Sequence, residues 1–406
     1  MPHSHSHSHA ADTDVRPARG PVAVLMGFLL TAAVATVVGL VILWPDGATI
    51  DEIRATAPYA AEGVTFLDAS VTGVQAACPD VTSRDEICGH LSAELDEGPE
   101  RGTEVDVEVA PELSATGIGQ GDTVRLMRIP TQGGTVPVYT FDRVVRVTPL
   151  WILGAAFVLV VAAVARLRGL LALVSLAVGG WLLLHFMLPA LLAGSSGLAV
   201  ALVGSAAIMF VVLYFTHGPS VRTSAALAGT LIGIGIIAGV GELGVRMALL
   251  TGVANEDAAG LTAFAQDVSF RGLLMCALVV AGLGILNDVT ITQSSAVWEL
   301  RAAGPTLNRR ELYTSGMRIG RDHIASTIYT IVFAYAGSAL AVLLLLTIFN
   351  EPALDVLSRE AISEEIVRTL ASGIGLVLAV PVTTAIAVLT VGSPPEDEVP
   401  AYERRH

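Results

Sequence analysis

Long apolar runs separated by short polar connections make up most of this chain. A helix needs about 20 mostly apolar residues to cross a bilayer, because the hydrocarbon layer is about 30 Å thick. Eight runs meet this requirement and predict eight transmembrane helices. They are Pro21–Trp44, Pro149–Ala165, Gly169–Leu188, Leu198–Phe215, Thr223–Leu250, Gly272–Ile291, Ser326–Phe349 and Ile366–Val391. The first run is longer than the apolar core of a signal peptide, so we expect it to be an uncleaved anchor.

Arginines lie in alternate connections between these runs. They cluster at positions 16–19, 166–168, 222, 301–321 and 404–405. Arginine near the end of a span favours the cytoplasmic side. Eight spans with both termini in the cytoplasm place every cluster on that side. This predicts a multi-pass protein of a plasma membrane, with cytoplasmic tails at residues 1–20 and 392–406.

Residues 45–148 form the one long polar insertion, and its length is enough for a small domain. Apolar and polar residues alternate in Glu104–Val109 and Val124–Ile129, and glycine-rich turns follow or precede these segments. Such alternation predicts short β-strands of a small barrel or sandwich, with an OB-like fold as one form. The predicted fold class is therefore an all-α polytopic membrane helix bundle, with a small extracytoplasmic β-rich domain between the first and second spans. Residues 149–391 form a seven-helix membrane domain.

Composition agrees with a lipid environment. Hydrophobic residues make up 53% of the chain and charged residues only 15%, against about 25% charged in soluble domains. The formal net charge of −14 argues against nucleic-acid binding, which needs a basic surface. The lipid bilayer is the partner that the composition implies, and the sequence indicates no oligomeric state.

Cysteine and histidine suggest two further features. Cys78 and Cys88 lie in the insertion, and an oxidising compartment would let them form a disulfide; two unrelated thiols are the alternative. The N-terminal tail alternates histidine with serine, at His3, His5, His7 and His9. Imidazole is a good ligand for zinc, nickel and copper, so this composition raises metal binding as a hypothesis, although a tail offers no fixed ligand geometry.

Ionisable residues within apolar runs are costly and often functional. Glu242 and Arg246 lie four residues apart in the fifth span, share a helix face, and are expected to form a structural ion pair. Two polar stripes follow in the sixth and seventh spans. The first comprises Asp288, Thr292, Ser295 and Glu299, with Asn287 and Gln293 beside it. The second comprises Arg318, Asp322, Ser326 and Thr330.

These two stripes are predicted to face each other, because facing lipid would expose Asp288 and Asp322 to hydrocarbon. One interpretation is an ion, proton or substrate site formed by Asp288, Asp322 and the polar residues near them. The other is helix capping with an aspartate–arginine clasp, in which Arg318 pairs with an aspartate. The sequence contains no nucleophile, zinc or nucleotide-binding motif, so we expect a protein that is not an enzyme and that requires no cofactor.

Three segments resemble the YibE/F family of bacterial membrane proteins. The first runs from Gly284 to Val289 and continues through Ser294–Ala296 and Glu299–Leu300. The second runs from Gly316 to His323 and continues to Tyr335–Gly337. A weaker third runs from Val221 to Thr223 and leads to Gly229–Thr230. The resemblance covers about residues 149–391 and implies a multispan, permease-like body without indicating a substrate.

Two functions fit these features. A secondary transporter or permease for an ion or small solute would use the polar stripes, since transporter sites commonly lie at polar helices near the bilayer middle. The alternative is a membrane-anchored sensor or assembly factor that binds a protein partner through its extracytoplasmic domain. Water access to Asp288 and Asp322 would distinguish the transporter from the sensor or assembly factor.

Overall fold

The structure is a computed structural model that describes residues 17–48, 50–51, 63–75, 89–110, 113, 116–131, 137–254, 256–262, 267–349 and 352–392. Cys78, Cys88 and the histidines at positions 3–9 lie outside the described residues, so the disulfide and the metal-binding tail remain predictions. The chain divides into two compact units: Met1–Ile50 with Ala165–His406, and Asp51–Val164.

The helices of the chain follow its apolar runs. They are α1 (Arg19–Leu43), α2 (Val147–Leu182), α3 (Leu188–Leu192), α4 (Gly197–His217), α5 (Val221–Met247), α6 (Glu256–Thr262), α7 (Phe270–Ala303), α8 (Arg309–Ser338), α9 (Leu340–Phe349), α10 (Ala353–Leu357) and α11 (Glu360–Thr390). A π-helical turn, Leu183–Met187, joins α2 to α3.

Polar side chains define where three of these helices begin. The Ser220 side chain accepts a hydrogen bond from the Thr223 amide and starts α5, and Ser269 does the same for α7. Asn308 and Glu311 form a reciprocal capping box at the start of α8. Such caps satisfy backbone N–H groups that have no partner within the helix.

Six helices among the described residues are long and apolar enough to cross a membrane: Arg19–Leu43, Val147–Leu192, Gly197–His217, Val221–Met247, Phe270–Ala303 and Glu360–Thr390. Five of the predicted spans each match one of them. The other three depart from the prediction. Pro149–Ala165 and Gly169–Leu188 fall together in Val147–Leu192, and Ser326–Phe349 falls in the pair α8 and α9, which is bent by 68°.

Two breaks interrupt these helices, and the first lies between the predicted spans Pro149–Ala165 and Gly169–Leu188. Arg166 interrupts α2 with a φ of 53° and a ψ of −141°, a left-handed φ that is unusual for a residue other than glycine. Each half is about as long as the roughly 20 residues that a bilayer requires. The bend between α8 and α9 lies near Ala339, inside the predicted seventh span.

The bundle core forms where α5, α7 and α11 pack against one another. Small residues allow this close approach, as they commonly do between membrane helices. A Cβ atom at Gly375 of α11 would lie 2.2 Å from a side-chain carbon of Ile237 on α5. A Cβ atom at Gly229 of α5 would lie 2.0 Å from the Thr383 hydroxyl on α11. The helix α8 packs on α7 and α11, and α1 packs on α4, α5 and α11.

The start of α1 and the end of α11 meet at one end of this bundle. The Ala18 amide donates to the Thr390 carbonyl over 2.9 Å, and Pro17 pairs with Val391 in an antiparallel bridge. The first and last helices of the bundle are therefore joined through their backbones.

The second unit contains a five-stranded antiparallel sheet. Its strands are β1 (Thr65–Gln75), β2 (His90–Leu95), β3 (Glu104–Glu108), β4 (Thr123–Ile129) and β5 (Val138–Val144), in the order β3-β2-β1-β4-β5. The edge strands β3 and β5 also contact each other, which curls the sheet into a partly closed barrel. A five-stranded, partly open barrel is the form of the predicted OB-like domain.

In the two predicted strands, the apolar residues point into the domain and the polar residues point outward, as expected. Val107 of β3 and Val124 and Leu126 of β4 are buried, whereas Glu104 and Asp106 are exposed. The central strand β1 and its neighbour β2 were not predicted. Their inward positions include small residues such as Ala69 and Ala93, which weaken the period-two signal.

Candidate functional site

The contact between α7 and α8 brings together two residues from the motifs noted in the sequence. Nε2 of His323 on α8 lies 3.6 Å from a carboxylate oxygen of Asp288 on α7. The Asp288 side chain is 71% exposed and the His323 side chain is 30% exposed. The polar stripe of α7 therefore meets α8 through His323, the residue that follows Asp322.

Buried polar atoms without a hydrogen-bond partner lie at this contact and elsewhere in the bundle. They include Nε2 of His323 and the side-chain oxygen of Asn287, the residue before Asp288. The Thr383 hydroxyl of α11, which faces Gly229 of α5, is a third. Buried polar atoms are nearly always hydrogen-bonded, and an exception calls for a water, an ion or a ligand.

Gln293 joins three helices in the interior of the bundle. Its side chain is almost completely buried. Its amide nitrogen donates to the Gly316 carbonyl of α8 and to the Thr384 hydroxyl of α11, each over 2.8 Å. Thr384 in turn donates to the Val380 carbonyl of its own helix. A single amide of α7 thus holds α8 and α11 in register.

Hydroxyl groups continue this polar interior towards α5. Thr230 of α5 and Thr290 of α7 are fully buried, and their hydroxyl oxygens are 2.6 Å apart. Ser294 of α7 donates to the Arg222 carbonyl at the start of α5. We call Thr230, Thr290, Gln293, Ser294, Thr383 and Thr384 the polar seam. It links α5, α7, α8 and α11 through residues that carry no charge.

The other predicted site residues lie outside this seam. Thr292, Asp322, Ser326 and Arg318 are exposed, and Ser295 is half-buried. The cavity shared by Asp288 and Asp322 stays a prediction, since the observed contact between the two helices is the one from Asp288 to His323. The clasp of Arg318 with an aspartate also stays a prediction.

A second charged group lies at the end of α5. Arg246 donates to Glu242 one turn earlier, and Arg271 of α7 lies 3.9 Å from the same carboxylate. Glu242 and Arg246 line one end of a groove between α4 and α5, with a volume of about 440 Å³. The two arginines neutralise the glutamate, as expected for ionised groups held near hydrocarbon.

The second unit, Asp51–Val164, which we call the outer unit after its predicted extracytoplasmic location, carries its own charge pairs. Arg128 of β4 donates two hydrogen bonds to Glu100, the shorter over 2.7 Å, and these bonds hold the pKa of Glu100 below its ordinary value. Arg125 of β4 pairs with Asp68, which lies directly opposite on β1, at 2.7 Å. Opposite charges facing each other across strands stabilise a sheet modestly.

In the part of the chain that the structure describes, no three histidine, cysteine, aspartate or glutamate side chains converge to form a complete metal site. Cys276 of α7 is a free, buried thiol in the same part of the chain.

The sequence does not single out the seam as a site. Gln293 stands out there only as a neighbour of the stripe, and His323 and Thr230 only as parts of motifs. A usable signal is present: Thr290, Gln293, Ser294 and Val297 recur at helical spacing on the side of α7 opposite the exposed stripe. Uncharged residues in an apolar run give a weaker signal than ionisable ones, because they cost less to place there.

Comparison with known proteins gives one match. A scan against protein-family models aligns residues 153–393 with the family described as YibE/F-like protein, which covers more than half of the chain. This match confirms the resemblance noted from the motifs around Asp288 and His323. Searches of curated proteins and of solved structures found no match.

Proposed function

This chain belongs to the YibE/F-like family, and from that premise we propose that it is a multi-pass plasma-membrane transporter of the permease type, which moves an ion or small solute. The observation that carries the proposal is a set of buried polar atoms without hydrogen-bond partners, on Asn287, His323 and Thr383. In a membrane-spanning helix such atoms have no lipid partner. A passing solute with its water would supply the missing hydrogen bonds.

The uncharged seam supports the same proposal. Gln293 and the hydroxyls around it give the interior of the bundle donors and acceptors without a fixed charge. Close glycine contacts, such as Gly229 against Thr383, keep this interior closed. A transporter alternates between closed and open arrangements of its helices around a site. The state described here is then a closed one, with the Asp288 side open to the outside of the bundle.

Eight spans with both termini in the cytoplasm are part of this proposal. The contact between Pro17 and Val391 supports an even number of crossings, because both ends of the bundle lie together. Counting the bent pair α8 and α9 as one span gives seven helices. Dividing α2 at Arg166 restores an even number, eight. The arginines at 166–168 then lie in the cytoplasm, where arginine is favoured.

Topology reporters test the span count. Fusions after Gly20 and after Val391 should give cytoplasmic signals, and a fusion at Gly102 should give an extracytoplasmic one. An extracytoplasmic signal at either terminus would contradict the proposed topology.

A flux screen in proteoliposomes tests transport itself. The purified protein is reconstituted and screened against ions, metals and small solutes, beside the D288N variant and the matched control E299Q. Both variants remove one carboxylate charge from the same face of α7, but Glu299 lies far from His323 along the helix. We expect D288N to abolish flux with little loss of expression, and E299Q to retain it. Loss of thermal stability in D288N together with normal flux would instead indicate a structural clasp.

The outer unit suggests a second candidate function, that of a sensor or assembly factor. The edge strand β3 exposes a row of carboxylates, Glu104, Asp106 and Glu108, which would suit a cationic protein partner. The triple charge-neutral variant E104Q/D106N/E108Q separates the two functions. Under the transport proposal its flux equals that of the parent, whereas under the sensor proposal it loses the cellular response that the parent supports.

A further inference from the structure

The pair His323 and Asp288 has the geometry of two ligands of one metal ion. Zinc binds imidazole nitrogen and carboxylate oxygen at about 2.0–2.2 Å, so two ligands of a tetrahedral ion stand roughly 3.4 Å apart. The observed separation of Nε2 and the carboxylate oxygen is 3.6 Å. At this distance the two atoms are too far apart for a good hydrogen bond, but an ion between them would need only a small adjustment.

The lack of hydrogen-bond partners also favours an ion. Nε2 of His323 has no hydrogen-bond partner in the protein although it is buried, so this atom is available to a ligand. Asn287, next to Asp288, carries a buried oxygen that likewise has no partner. The large exposed fraction of Asp288 leaves the pair open to approach from one side.

The ligand types select a class of ion. Imidazole suits cobalt, nickel, zinc and copper, whereas magnesium and calcium prefer sites made of oxygen ligands. No third histidine, cysteine, aspartate or glutamate completes the set among the described residues. Water or an amide oxygen would fill the remaining positions, and a site with few protein ligands releases its ion easily, as transport requires.

The N-terminal sequence points to the same chemistry independently. His3, His5, His7 and His9 alternate with serine in the first nine residues. Four imidazoles in so short a segment are a composition typical of metal binding. The chain therefore carries histidines both at the contact of α7 with α8 and in its N-terminal segment.

We propose that His323 and Asp288 bind a divalent transition-metal ion of the cobalt, nickel and zinc group, and that an ion of this class is the transported solute. The second half of this statement rests on the proposed transport function. The first half concerns binding alone.

Cobalt binding to the purified, full-length protein tests the site. The parent protein for this experiment has all four tail histidines replaced by glutamine, so that the tail cannot bind the probe, and is purified through a tag without histidine. Co²⁺ is titrated by equilibrium dialysis, and its visible absorption reports nitrogen and oxygen ligation. Variants H323Q, D288N and E299Q are made in the same parent.

We expect the parent to bind one Co²⁺ per chain, and H323Q and D288N each to weaken binding by at least about tenfold, the minimum seen when metal-site partners are removed. E299Q should bind as the parent does, and a 100-fold excess of Mg²⁺ should leave Co²⁺ in place. Unfolding midpoints of all variants are recorded, and D288N, which is nearly isosteric, remains informative if H323Q fails to fold.

Three results would overturn the site: no Co²⁺ binding by the parent, parental affinity in both H323Q and D288N, or equal displacement by Mg²⁺. If the variants change only the pH dependence of flux and not Co²⁺ affinity, the pair carries a proton and the metal proposal is wrong. Co²⁺ binding without any flux in liposomes would refute transport but leave the site in place. Flux of another solute without Co²⁺ binding would refute the site but leave transport in place.

Discussion

Replacing Gln293 with leucine should loosen the bundle without creating a cavity. Leucine has a similar volume, but it removes both hydrogen bonds that the amide nitrogen makes, to Gly316 and to Thr384. Hydrogen bonds between membrane helices contribute about 0.6 kcal/mol on average and up to about 1.7 kcal/mol. Two such bonds predict that Q293L lowers the free energy of unfolding by about 1–3 kcal/mol.

The measurement is reversible unfolding of the purified protein in mixed detergent and lipid micelles, followed by tryptophan fluorescence. The matched control is T292V. It changes the neighbouring residue on α7 from polar to apolar, but Thr292 is exposed, so its effect should stay within about 0.5 kcal/mol.

A double-mutant cycle isolates the contact. The variant T384V keeps the shape of Thr384 and removes the oxygen that accepts from Gln293. The coupling energy between Q293L and T384V should be about 0.5–1.5 kcal/mol. Equal stability of Q293L and the parent, with no coupling to T384V, would refute the view that this amide holds α8 and α11 together.

Three further changes have expected outcomes. G229A should destabilise the bundle by about 1–3 kcal/mol through overpacking, whereas G239A on the same helix meets open space and should be close to neutral. Thermal unfolding of the two variants measures the difference. Equal effects of the two substitutions would contradict the argument that Gly229 is needed for a close helix contact. The hydrogen bonds from Arg128 lower the pKa of Glu100 in the folded protein. The Glu100 carboxylate therefore stabilises the outer unit fully above the pH at which an unfolded glutamate titrates, about 4.3. This stabilisation is lost as the pH falls through the lower pKa of the folded state. E100Q should therefore unfold more easily than the parent at neutral pH but not at strongly acidic pH, and a constant difference across the range would refute this. A Cys78–Cys88 disulfide should contribute roughly 2–3 kcal/mol to the outer unit, and non-reducing peptide mapping that finds both thiols free in protein from an oxidising compartment would exclude it.

The positions of most helices could be predicted from the sequence because length and apolarity suffice. The predicted span Leu198–Phe215 lies inside α4, and Thr223–Leu250 nearly coincides with α5. The break at Arg166 lies between two predicted spans, where the arginines at 166 and 168 separate the apolar runs. The bend within Ser326–Phe349 lay beyond the same reasoning, because nothing in an apolar run indicates it.

The polar seam was harder to predict, for a physical reason. The central helices are apolar on nearly all sides, so amphipathicity does not indicate which face is internal. A threonine such as Thr290 can also use its hydroxyl hydrogen bond on a carbonyl of its own helix. The sequence therefore does not show whether such a threonine also contacts another helix. Only packing shows that Thr230, Gln293 and Thr384 meet. His323 could have been predicted as a site residue, since it belongs to the motif that identified the family.

The backbone contact between Pro17 and Val391 has a consequence for biosynthesis. Among the described helices α1 is made first, yet one of its packing partners, α11, is made last. Ribosomes add roughly 5–20 residues per second, so α1 waits on the order of tens of seconds in the membrane with this side uncovered. A chain that stops before α11 leaves that side open permanently. An unfinished chain therefore differs from a finished one in whether α1 has met α11.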